Sequence, residues 1–553
     1  MLNNLISPYL MFNYLHNLYL RKIAFLRRFS ILLFFFSILG ISFYYNYHKI
    51  IFERPQGIHR WRQGDCASLA LNYHHNNLKF FQPEVHLLIS ENNTAPYTSM
   101  SEAPVLYYFI GILYKIFGYH EFIYRIVSTL VFIMGIYALF KIFALLINDW
   151  VWSLGLSVLF FTSPVLLYYG NSFLTNIPAF SFALMGWMHF FKYYRTKEKK
   201  SLLFAGIFFL VGGLLKVTAL FSVFTILGLF VVEWILSFRL DNKQYLFQKR
   251  LIIIPGILII IGIVFSYILY AKHYNGIHPN GHFSTWTYPF WKCDSETKSR
   301  VIDMVSNYWN KDYFHPSTIH LFMIMLIPLI VFIRKSNRLL LTSLIFLLIG
   351  GSLFAILQFN TFEQHDYYTI NLFIIPVFIS LNFVYVFKNK YPKLFSSFIT
   401  HFLLGIFVLV NIYYAKNRLM KRYDKNDAEY VLYKDLKTIT PFLRENNIQR
   451  TDKVLIIPGA SPYEPYVCDQ QGWVSAGSFK LDSLRIDHAQ KNGVKYLFLV
   501  GDQTHKKSHL SSYTNKEPHL RYGNIWIYRV DPENDIHNTT KNISAAAESG
   551  ADI

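Results

Sequence analysis

Long apolar blocks dominate this sequence of 553 residues and constrain what it can fold into. Such blocks include 31–45, 151–167, 251–270, 339–357 and 394–414. Each approaches the roughly 20 residues that an α-helix needs to cross about 30 Å of hydrocarbon. One water-soluble core cannot bury them all, and charged residues make up only 16% of the chain. The sequence therefore predicts an α-helical polytopic membrane protein.

The net charge of +20 has a simple explanation in this context. Much of the Lys and Arg lies in short runs between apolar blocks, where positive charge sets the orientation of membrane helices. This placement favours an orientation signal over a nucleic-acid-binding surface. We therefore expect the lipid bilayer as a partner and no nucleic acid.

The basic runs predict the side of the membrane on which each loop lies. Positive residues between 21 and 28 precede the first apolar block, so the N-terminus is expected in the cytoplasm. Later basic runs at 192–200, 239–250, 334–338 and 388–393 all become cytoplasmic if the chain crosses the membrane about eleven times. The predicted spans are 29–46, 122–147, 151–169, 174–191, 201–215, 217–236, 251–271, 319–333, 339–358, 368–387 and 394–415.

The apolar segment 104–118 is excluded from this count. One more crossing here would move every later basic run to the outer side, against the positive-inside rule. About 15 residues are also short for a span. We expect a helix that lies at the membrane interface or re-enters on the same side.

The resulting organisation has four parts. They are a cytoplasmic segment 1–28, a transmembrane domain 29–416, an extracytoplasmic α/β domain 417–531 and a disordered tail 532–553. Short β-type runs around an amphipathic segment predict the α/β domain.

Two outer loops, at 47–121 and 272–318, belong to the transmembrane domain. A basic cluster at 416–422 disobeys the orientation rule, and we expect it to contact anionic headgroups or to dock an anionic lipid.

The first outer loop carries the polar groups best suited to chemistry. It places Asp65 beside Arg60 and Arg62, with Glu102 further along. A carboxylate can act as a base toward an acceptor, and arginines can stabilise charge that develops on a leaving phosphate. This combination suits glycosyl transfer from a phospholipid-linked sugar. The alternative is that Asp65 only caps a helix beginning at Cys66.

Further candidates lie at the predicted ends of membrane spans. Lys216 stands between two apolar blocks, where an ionisable group is costly and usually functional; the alternative is a lysine that snorkels to the interface. His365 and Asp366 occupy a short outer loop, and their alternative role is a structural pair. Three histidines of the second outer loop, at 278, 282 and 315, have a spacing that fits no standard metal site. The three cysteines, at 66, 293 and 468, show no metal-ligand spacing, and their odd number excludes complete internal pairing.

Several of these segments resemble one family. The segment 61–67 reads W-R-Q-G-D-C-A and resembles the W-R-Q-A-D-T-A motif of bacterial membrane glycosyltransferases of the GT-C superfamily. These are similar to protein O-mannosyltransferases and to the lipid A aminoarabinose transferase. The segment 101–104 resembles the family's second acidic element, and 365–368 its H-D-Y-Y motif.

The resemblance implies a GT-C-like fold and a glycosyltransferase of the cell envelope. It implies transfer, with inversion at the anomeric carbon, from a polyprenyl-phosphate sugar to a glycan, lipid or protein acceptor on the outer face. The catalytic residues would be Asp65 and Glu102. The substrate- or phosphate-binding residues would be Arg60, Arg62, Lys216, His365, Asp366 and Tyr367.

The same resemblance implies no organic cofactor, and a divalent metal is compatible with the family, although we assign no metal ligands. The abundance of Phe, Tyr, Asn, Ile and Lys suggests an AT-rich genome and a bacterial inner membrane, with the C-terminal domain in the periplasm.

The alternative function is a transporter or flippase of a lipid-linked saccharide. Such a protein would place ionisable residues near the bilayer midplane and often shows repeats. A non-catalytic scaffold would not need the two acidic loop motifs.

Overall fold

The computed structural model describes residues 19, 21–88, 102–236, 246–247, 250–278, 287–459, 461–475 and 479–530. The predicted tail 532–553, most of the basic run 239–250, and positions 101 and 282 lie outside the described residues. Two compact units divide the chain. We call them the membrane unit (Met1–Glu53, Phe122–Leu269 and Thr285–Tyr423) and the α/β unit (Arg54–Glu121, Tyr270–Ser284 and Asp424–Ile553).

The elements are numbered in chain order, leaving out 3₁₀- and π-helical segments and α-helices shorter than five residues. The helices are α1 (Ser30–Tyr44), α2 (Arg60–His75), α3 (Val105–Phe117), α4 (Glu121–Ile147), α5 (Trp150–Phe161), α6 (Pro164–Gly170), α7 (Asn176–Thr196), α8 (Lys199–Leu215), α9 (Phe221–Leu236), α10 (Arg250–Ile277), α11 (Ser295–Asp303), α12 (Pro316–Val331), α13 (Arg338–Leu357), α14 (Ile374–Lys390), α15 (Phe398–Lys421), α16 (Ala428–Leu432), α17 (Thr440–Glu445), α18 (Tyr463–Val467) and α19 (Phe479–Lys491). The strands are β1 (Val454–Ile457), β2 (Gly472–Val474), β3 (Tyr496–Val500), β4 (Leu520–Tyr522) and β5 (Ile525–Arg529).

The prediction of an α-helical polytopic membrane protein is confirmed. In the described part of the chain, seven helical segments are long and apolar enough to span a membrane, and nine if two bent pairs each form one span. The seven are Arg21–Tyr44, Glu121–Ile147, Val217–Leu236, Ile253–Ile277, Arg338–Leu357, Asp366–Lys390 and Phe398–Lys421. The predicted spans 174–191 and 201–215 fall on α7 and α8, which are not among these. The count of eleven and the orientation therefore stay predictions.

The bends have a local cause. In the first pair, α5 and α6 meet at 73° where Pro164 opens α6 and the Ser163 hydroxyl accepts from Leu166 N. In the second, Ser295–Tyr313 and Pro316–Val331 meet at 98°, and Pro316 opens α12. Proline has no N–H to continue the preceding helix but suits the first position of a new one.

The surface of the membrane unit is apolar. Phe36, Leu269 and Ile330 are 68%, 67% and 75% exposed. Exposed apolar side chains in such number would be unfavourable in water and match a surface that faces lipid.

The α/β unit contains one five-stranded sheet in the order β2-β1-β3-β5-β4. Strands β2, β1 and β3 are parallel, whereas β5 and β4 are antiparallel to their neighbours. The first loop extends this sheet beyond β2. Leu88 N donates to Gly472 O at 2.8 Å, and Gly472 N donates to His86 O at 3.0 Å. Segment 54–121 therefore folds together with the C-terminal region, whereas the predicted boundaries assign the two to different domains.

Helix α3 occupies the segment predicted to lie at the interface. It is 13 residues long and packs against α2 in the α/β unit. Its inner face buries Tyr107, Ile110 and Tyr114, while Phe109 and Phe117 on its other side are exposed. Its position at a membrane interface stays a prediction.

Candidate active site

Helix α2 carries the first acidic residue of the candidate site. It begins at Arg60, after His59 in the left-handed backbone region (φ 55°), and residues 62–73 are buried. Asp65 is thus the sixth residue of the helix and lies well past its N-terminus. The alternative in which Asp65 caps a helix starting at Cys66 is wrong.

Two buried carboxyl groups meet one guanidinium here. Arg62 Nη2 donates to Glu102 Oε1 at 2.5 Å, and Arg62 Nη1 lies 3.7 Å from Asp65 Oδ2. Asp65 is fully buried and Glu102 is 6% exposed. The Tyr107 hydroxyl also donates to Glu102 Oε1, at 3.4 Å. The structure therefore brings Asp65, Arg62 and Glu102 together, as an acid pair held in place by Arg62.

Cys66, next to Asp65, is buried beside Tyr107. Its Sγ lies 3.5 Å from the Tyr107 hydroxyl, and burial raises the pKa of its thiol to about 12. A thiol with such a pKa stays protonated and unreactive near neutral pH. Asp65 is therefore the better candidate for chemistry on this helix.

Arg60, one turn before Gly64, is held by the C-terminal part of the α/β unit. Its guanidinium pairs with Glu429 at 2.6 Å and lies 3.9 Å from Glu464. It also lies over the rings of Tyr433 and Tyr463, with centroid distances of 4.7 and 5.2 Å. Arg60 therefore belongs to a different cluster from Arg62, although both side chains come from the first turn of α2.

Glu464 is a site residue that sequence reasoning missed. It is 1% exposed, and its Oε2 accepts from the Ser461 hydroxyl at 2.9 Å and from Ser461 N at 3.2 Å. Burial raises its pKa to about 7, against the opposing effects of Arg60 and Ser461. The segment 461–464 reads S-P-Y-E, a capping-box pattern that indicates a helix start and gives no sign of a link to α2.

A second polar network braces the other end of α2. His86 Nε2 lies 3.0 Å from Asp469 Oδ1, and His86 Nδ1 lies 2.7 Å from Ser68 Oγ. Arg450 Nε donates to Asp469 Oδ1 at 3.0 Å. Burial opposes the charge of Asp469, yet the His86 hydrogen bond and the Arg450 guanidinium hold the pKa of that carboxyl well below its usual range. A neutral His86 that donates from Nε2 to Asp469 can accept at Nδ1 from Ser68. Both hydrogen bonds of His86 can therefore form together.

Glu121, the first residue of α4, anchors a third cluster. Its carboxylate accepts from Arg54 Nη2 at 2.9 Å, from Tyr119 at 3.0 Å and from Tyr466 at 2.5 Å. Arg54 also donates to the backbone oxygen of Val467 at 2.9 Å. The first loop is therefore joined to the C-terminal region through Arg54 and Glu121, as it is through Arg60 and His86.

The remaining predicted residues lie in the membrane unit. Lys216 is 7% exposed, at an extended residue that separates α8 from the turn Val217–Leu220. Its ammonium lies over the ring of Tyr368 at 5.3 Å. This places the lysine next to the H-D-Y-Y segment, and the role of both toward a phosphate stays a prediction.

Asp366 is committed to a buried ion-pair network. Its Oδ1 accepts from the Tyr169 hydroxyl and its Oδ2 from Arg422 Nη2, both at 2.6 Å. Arg422 also binds Asp312 at 2.7 Å, and Arg418 pairs with the same carboxylate. The basic cluster 416–422 therefore includes two arginines held by acidic partners, and its expected contact with anionic lipid stays a prediction. Asp366 orders the end of α15, and its role toward a substrate stays a prediction.

His365 and Tyr367 flank Asp366. The Tyr367 ring is 5.3 Å from the His365 ring and 5.8 Å from the Tyr169 ring. Tyr367 is 2% exposed, and its backbone oxygen accepts from Asn176 Nδ2 at 3.1 Å. Asn176 thus fixes this segment, which gives it a structural task within the membrane unit.

The donor set does not fit a metal centre. Among the described residues, no group of three or more His, Cys, Asp or Glu side chains is placed to hold a metal ion. At the acid pair, the guanidinium of Arg62 contacts both carboxyl groups. No chemical step is therefore assigned to a metal.

Known proteins share parts of this sequence and most of this fold. The family model described as dolichyl-phosphate-mannose-protein mannosyltransferase matches residues 101–270. No curated protein matches the chain. ArnT from Cupriavidus metallidurans, bound to undecaprenyl phosphate, is similar over 90% of this chain and 97% of its own, with 11% identity and a TM-score of 0.56.

Two archaeal structures are also similar to this chain in fold at low sequence identity. The oligosaccharyltransferase AglB from Archaeoglobus fulgidus, with an inhibitory peptide and a dolichol-phosphate, is similar over 86% of this chain and 70% of its own, with 13% identity and a TM-score of 0.53. An A. fulgidus oligosaccharyltransferase with Zn and sulfate is similar over 81% of this chain, with 14% identity and a TM-score of 0.51; this chain spans 64% of its length. At these identities the similarity establishes the fold.

Proposed function

This chain has the fold of the GT-C membrane glycosyltransferases, and from that premise we propose that it transfers a sugar from a polyprenyl-phosphate donor to an acceptor on the outer face of a bacterial inner membrane. The observation that carries the proposal is the buried acid pair Asp65 and Glu102, held by Arg62 in the first loop. Support also comes from the family match, which begins at residue 101 and includes Glu102. The acceptor is a glycan, a lipid or a protein.

The transfer exchanges one bond at the anomeric carbon. An acceptor hydroxyl or amine attacks that carbon, and the bond from the carbon to the phosphate oxygen breaks. The polyprenyl phosphate leaves with the bonding electrons, and the acceptor proton passes to Asp65. Attack opposite the leaving group inverts the configuration. A positioned base of this kind is worth roughly 10²–10⁴-fold in rate.

The remaining site residues are proposed to hold charged groups in fixed positions. Arg62 positions Asp65 and Glu102, since all three are buried and its guanidinium contacts both carboxyl groups. We assign Lys216 to the donor phosphate because its ammonium is buried in the membrane unit beside an aromatic ring. Arg60, His365, Asp366 and Tyr367 stay proposals as further substrate contacts. Catalysis by fixed charges of this kind needs no organic cofactor.

The experiment that tests the proposal uses purified protein in lipid nanodiscs. Undecaprenyl-phosphate sugars are supplied with lipid A, glycan and protein acceptors, and both products are quantified. A transferase yields glycosylated acceptor and free undecaprenyl phosphate in equal amounts. In proteoliposomes, movement of intact lipid-linked sugar across the bilayer with no release of undecaprenyl phosphate would instead identify a flippase.

A further inference from the structure

A cavity of about 290 Å³ lies in the membrane unit and is lined by none of the candidate site residues described above. Its walls are formed by the start of α1 with the turn before it, the last turns of α4 and the link from α4 into α5. Its polar lining includes Arg27, Lys141 and Asn148, and its apolar lining includes Ile31 and Phe140. The volume is at the lower end of the roughly 300–1,000 Å³ of small-molecule sites.

Lys141 indicates that the cavity binds an anion. It is half-buried in the cavity wall, six residues before the end of the span α4. Within the described part of the chain it makes no hydrogen bond and no ion pair. An ammonium group in a membrane-spanning segment is costly unless an anion or polar group compensates it. The cavity beside it gives space for such an anion.

Arg27 adds a second cation to the same cavity. Its Nη2 donates to Asn148 Oδ1 at 2.5 Å, which holds the guanidinium at the rim while its other N–H groups can donate to a ligand oxygen. The acidic residue of the lining, Asp149, is used elsewhere. Its Oδ1 accepts from Val151 N and Trp152 N at 2.9 and 3.0 Å, and so caps α5. The lining therefore presents two cations against one helix-capping carboxylate.

Apolar groups adjoin the two cations. Ile31 lines the cavity and is 42% exposed, and Leu32 beside it is 55% exposed. An ammonium and a guanidinium next to lipid-facing aliphatic side chains match the two halves of a phospholipid, a phosphate headgroup and its acyl chains. A free phosphate would use the cations but not the apolar rim.

We propose that this cavity binds the phosphate of an anionic membrane lipid through Arg27 and Lys141, with the acyl chains against Ile31 and Leu32. The site is independent of the proposed glycosyl transfer. It lies at the end of α1 that is predicted to face the cytoplasm, where anionic lipids attract basic residues. The lipid would join the first two spans at this surface.

The test measures phospholipid retention by the full-length protein. Protein is purified from nanodiscs that contain phosphatidylglycerol and phosphatidylcholine, and bound lipid is counted by native mass spectrometry. Wild type should retain phosphatidylglycerol over phosphatidylcholine. Arg27→Gln and Lys141→Met should each weaken that binding about fivefold, the worth of one basic residue near an anionic surface. The matched control is Arg28→Gln, a neighbouring arginine that does not line the cavity, and it should retain the lipid.

Three results would overturn the site. The first is equal retention of both lipids by wild type. The second is equal loss in Arg28→Gln and Lys141→Met, which would indicate nonspecific surface charge. The third is stabilisation of the detergent-purified protein by inorganic phosphate to the same extent as by phosphatidylglycerol, which would identify a free-phosphate site.

Discussion

Gly64 of α2 lies directly against the backbone of Tyr463 in α18. A Cβ at position 64 would stand 2.9 Å from the Tyr463 Cα and 3.2 Å from its nitrogen. The motif that this segment resembles has alanine at the same place. The close approach explains the departure, because only glycine lets α18 contact the helix that carries Asp65.

Gly64→Ala should therefore loosen the contact between α2 and α18. Overpacking against backbone atoms, which cannot rotate away, costs about 1–3 kcal/mol. Gly40→Ala in α1 is the matched control, since nothing lies within 4 Å of its added Cβ and alanine favours a helix by up to about 1 kcal/mol. Thermal unfolding should separate a destabilised Gly64→Ala from a neutral or stabilised Gly40→Ala. Equal stability of the two variants would contradict the packing described.

Glu464 should make stability depend on pH. Its pKa is raised from 4.5 to about 7 in the folded state, so the folded protein binds this proton more tightly than the unfolded chain. Protonated Glu464 therefore contributes its full stabilisation of the folded protein below pH 4.5. This contribution to the free energy of unfolding, about 3 kcal/mol, is lost as the pH rises toward 7. Glu464→Gln stays neutral, so its unfolding temperature relative to wild type should rise between pH 5 and pH 8. A relative fall would show that Glu464 serves as an ionised partner of Arg60.

The sequence predicted the parts of this molecule that depend on local pattern. Apolar blocks predict the membrane helices, and the pair Asp65 and Glu102 stands out as two acids in one polar loop. The pairing of 86–88 with Gly472 and the link from Glu464 to Arg60 could not be predicted, because they join residues far apart in the sequence through tertiary packing. The capping alternative for Asp65 failed because the helix begins at Arg60, six residues before Cys66.

Lys216→Met tests the contact with the donor phosphate. The substitution keeps a long apolar side chain over Tyr368 and removes the charge. Loss of one charged hydrogen bond, about 1.5–3 kcal/mol, predicts roughly tenfold to a hundredfold slower transfer or weaker donor binding. Lys200→Met, an exposed lysine of the same unit, should transfer at the wild-type rate. Unchanged kinetics in Lys216→Met would leave Lys216 as a lysine that snorkels to the interface.

Reporter fusions test the predicted orientation. Fusions at Lys197, Lys243 and Lys390 should report the cytoplasm, and fusions at Lys292 and Asp452 the outer side, because eleven crossings place the basic runs inside. Activity of both a cytoplasmic and a periplasmic reporter is measured at each position. A cytoplasmic signal at Asp452 would refute the eleven-span topology and the outer-face reaction.

The transfer rate of Asp65→Asn tests the central claim most directly. Asparagine keeps the size of Asp65 and, in the middle of α2, removes its charge and basicity with little change in shape. Asp65→Asn should insert and fold normally yet lose roughly 10²–10⁴-fold in sugar transfer, and Glu102→Gln should lose the same or somewhat less. Glu445→Gln, an exposed glutamate of the α/β unit, should keep full activity. Transfer by Asp65→Asn at the wild-type rate would contradict the proposed mechanism and favour the flippase.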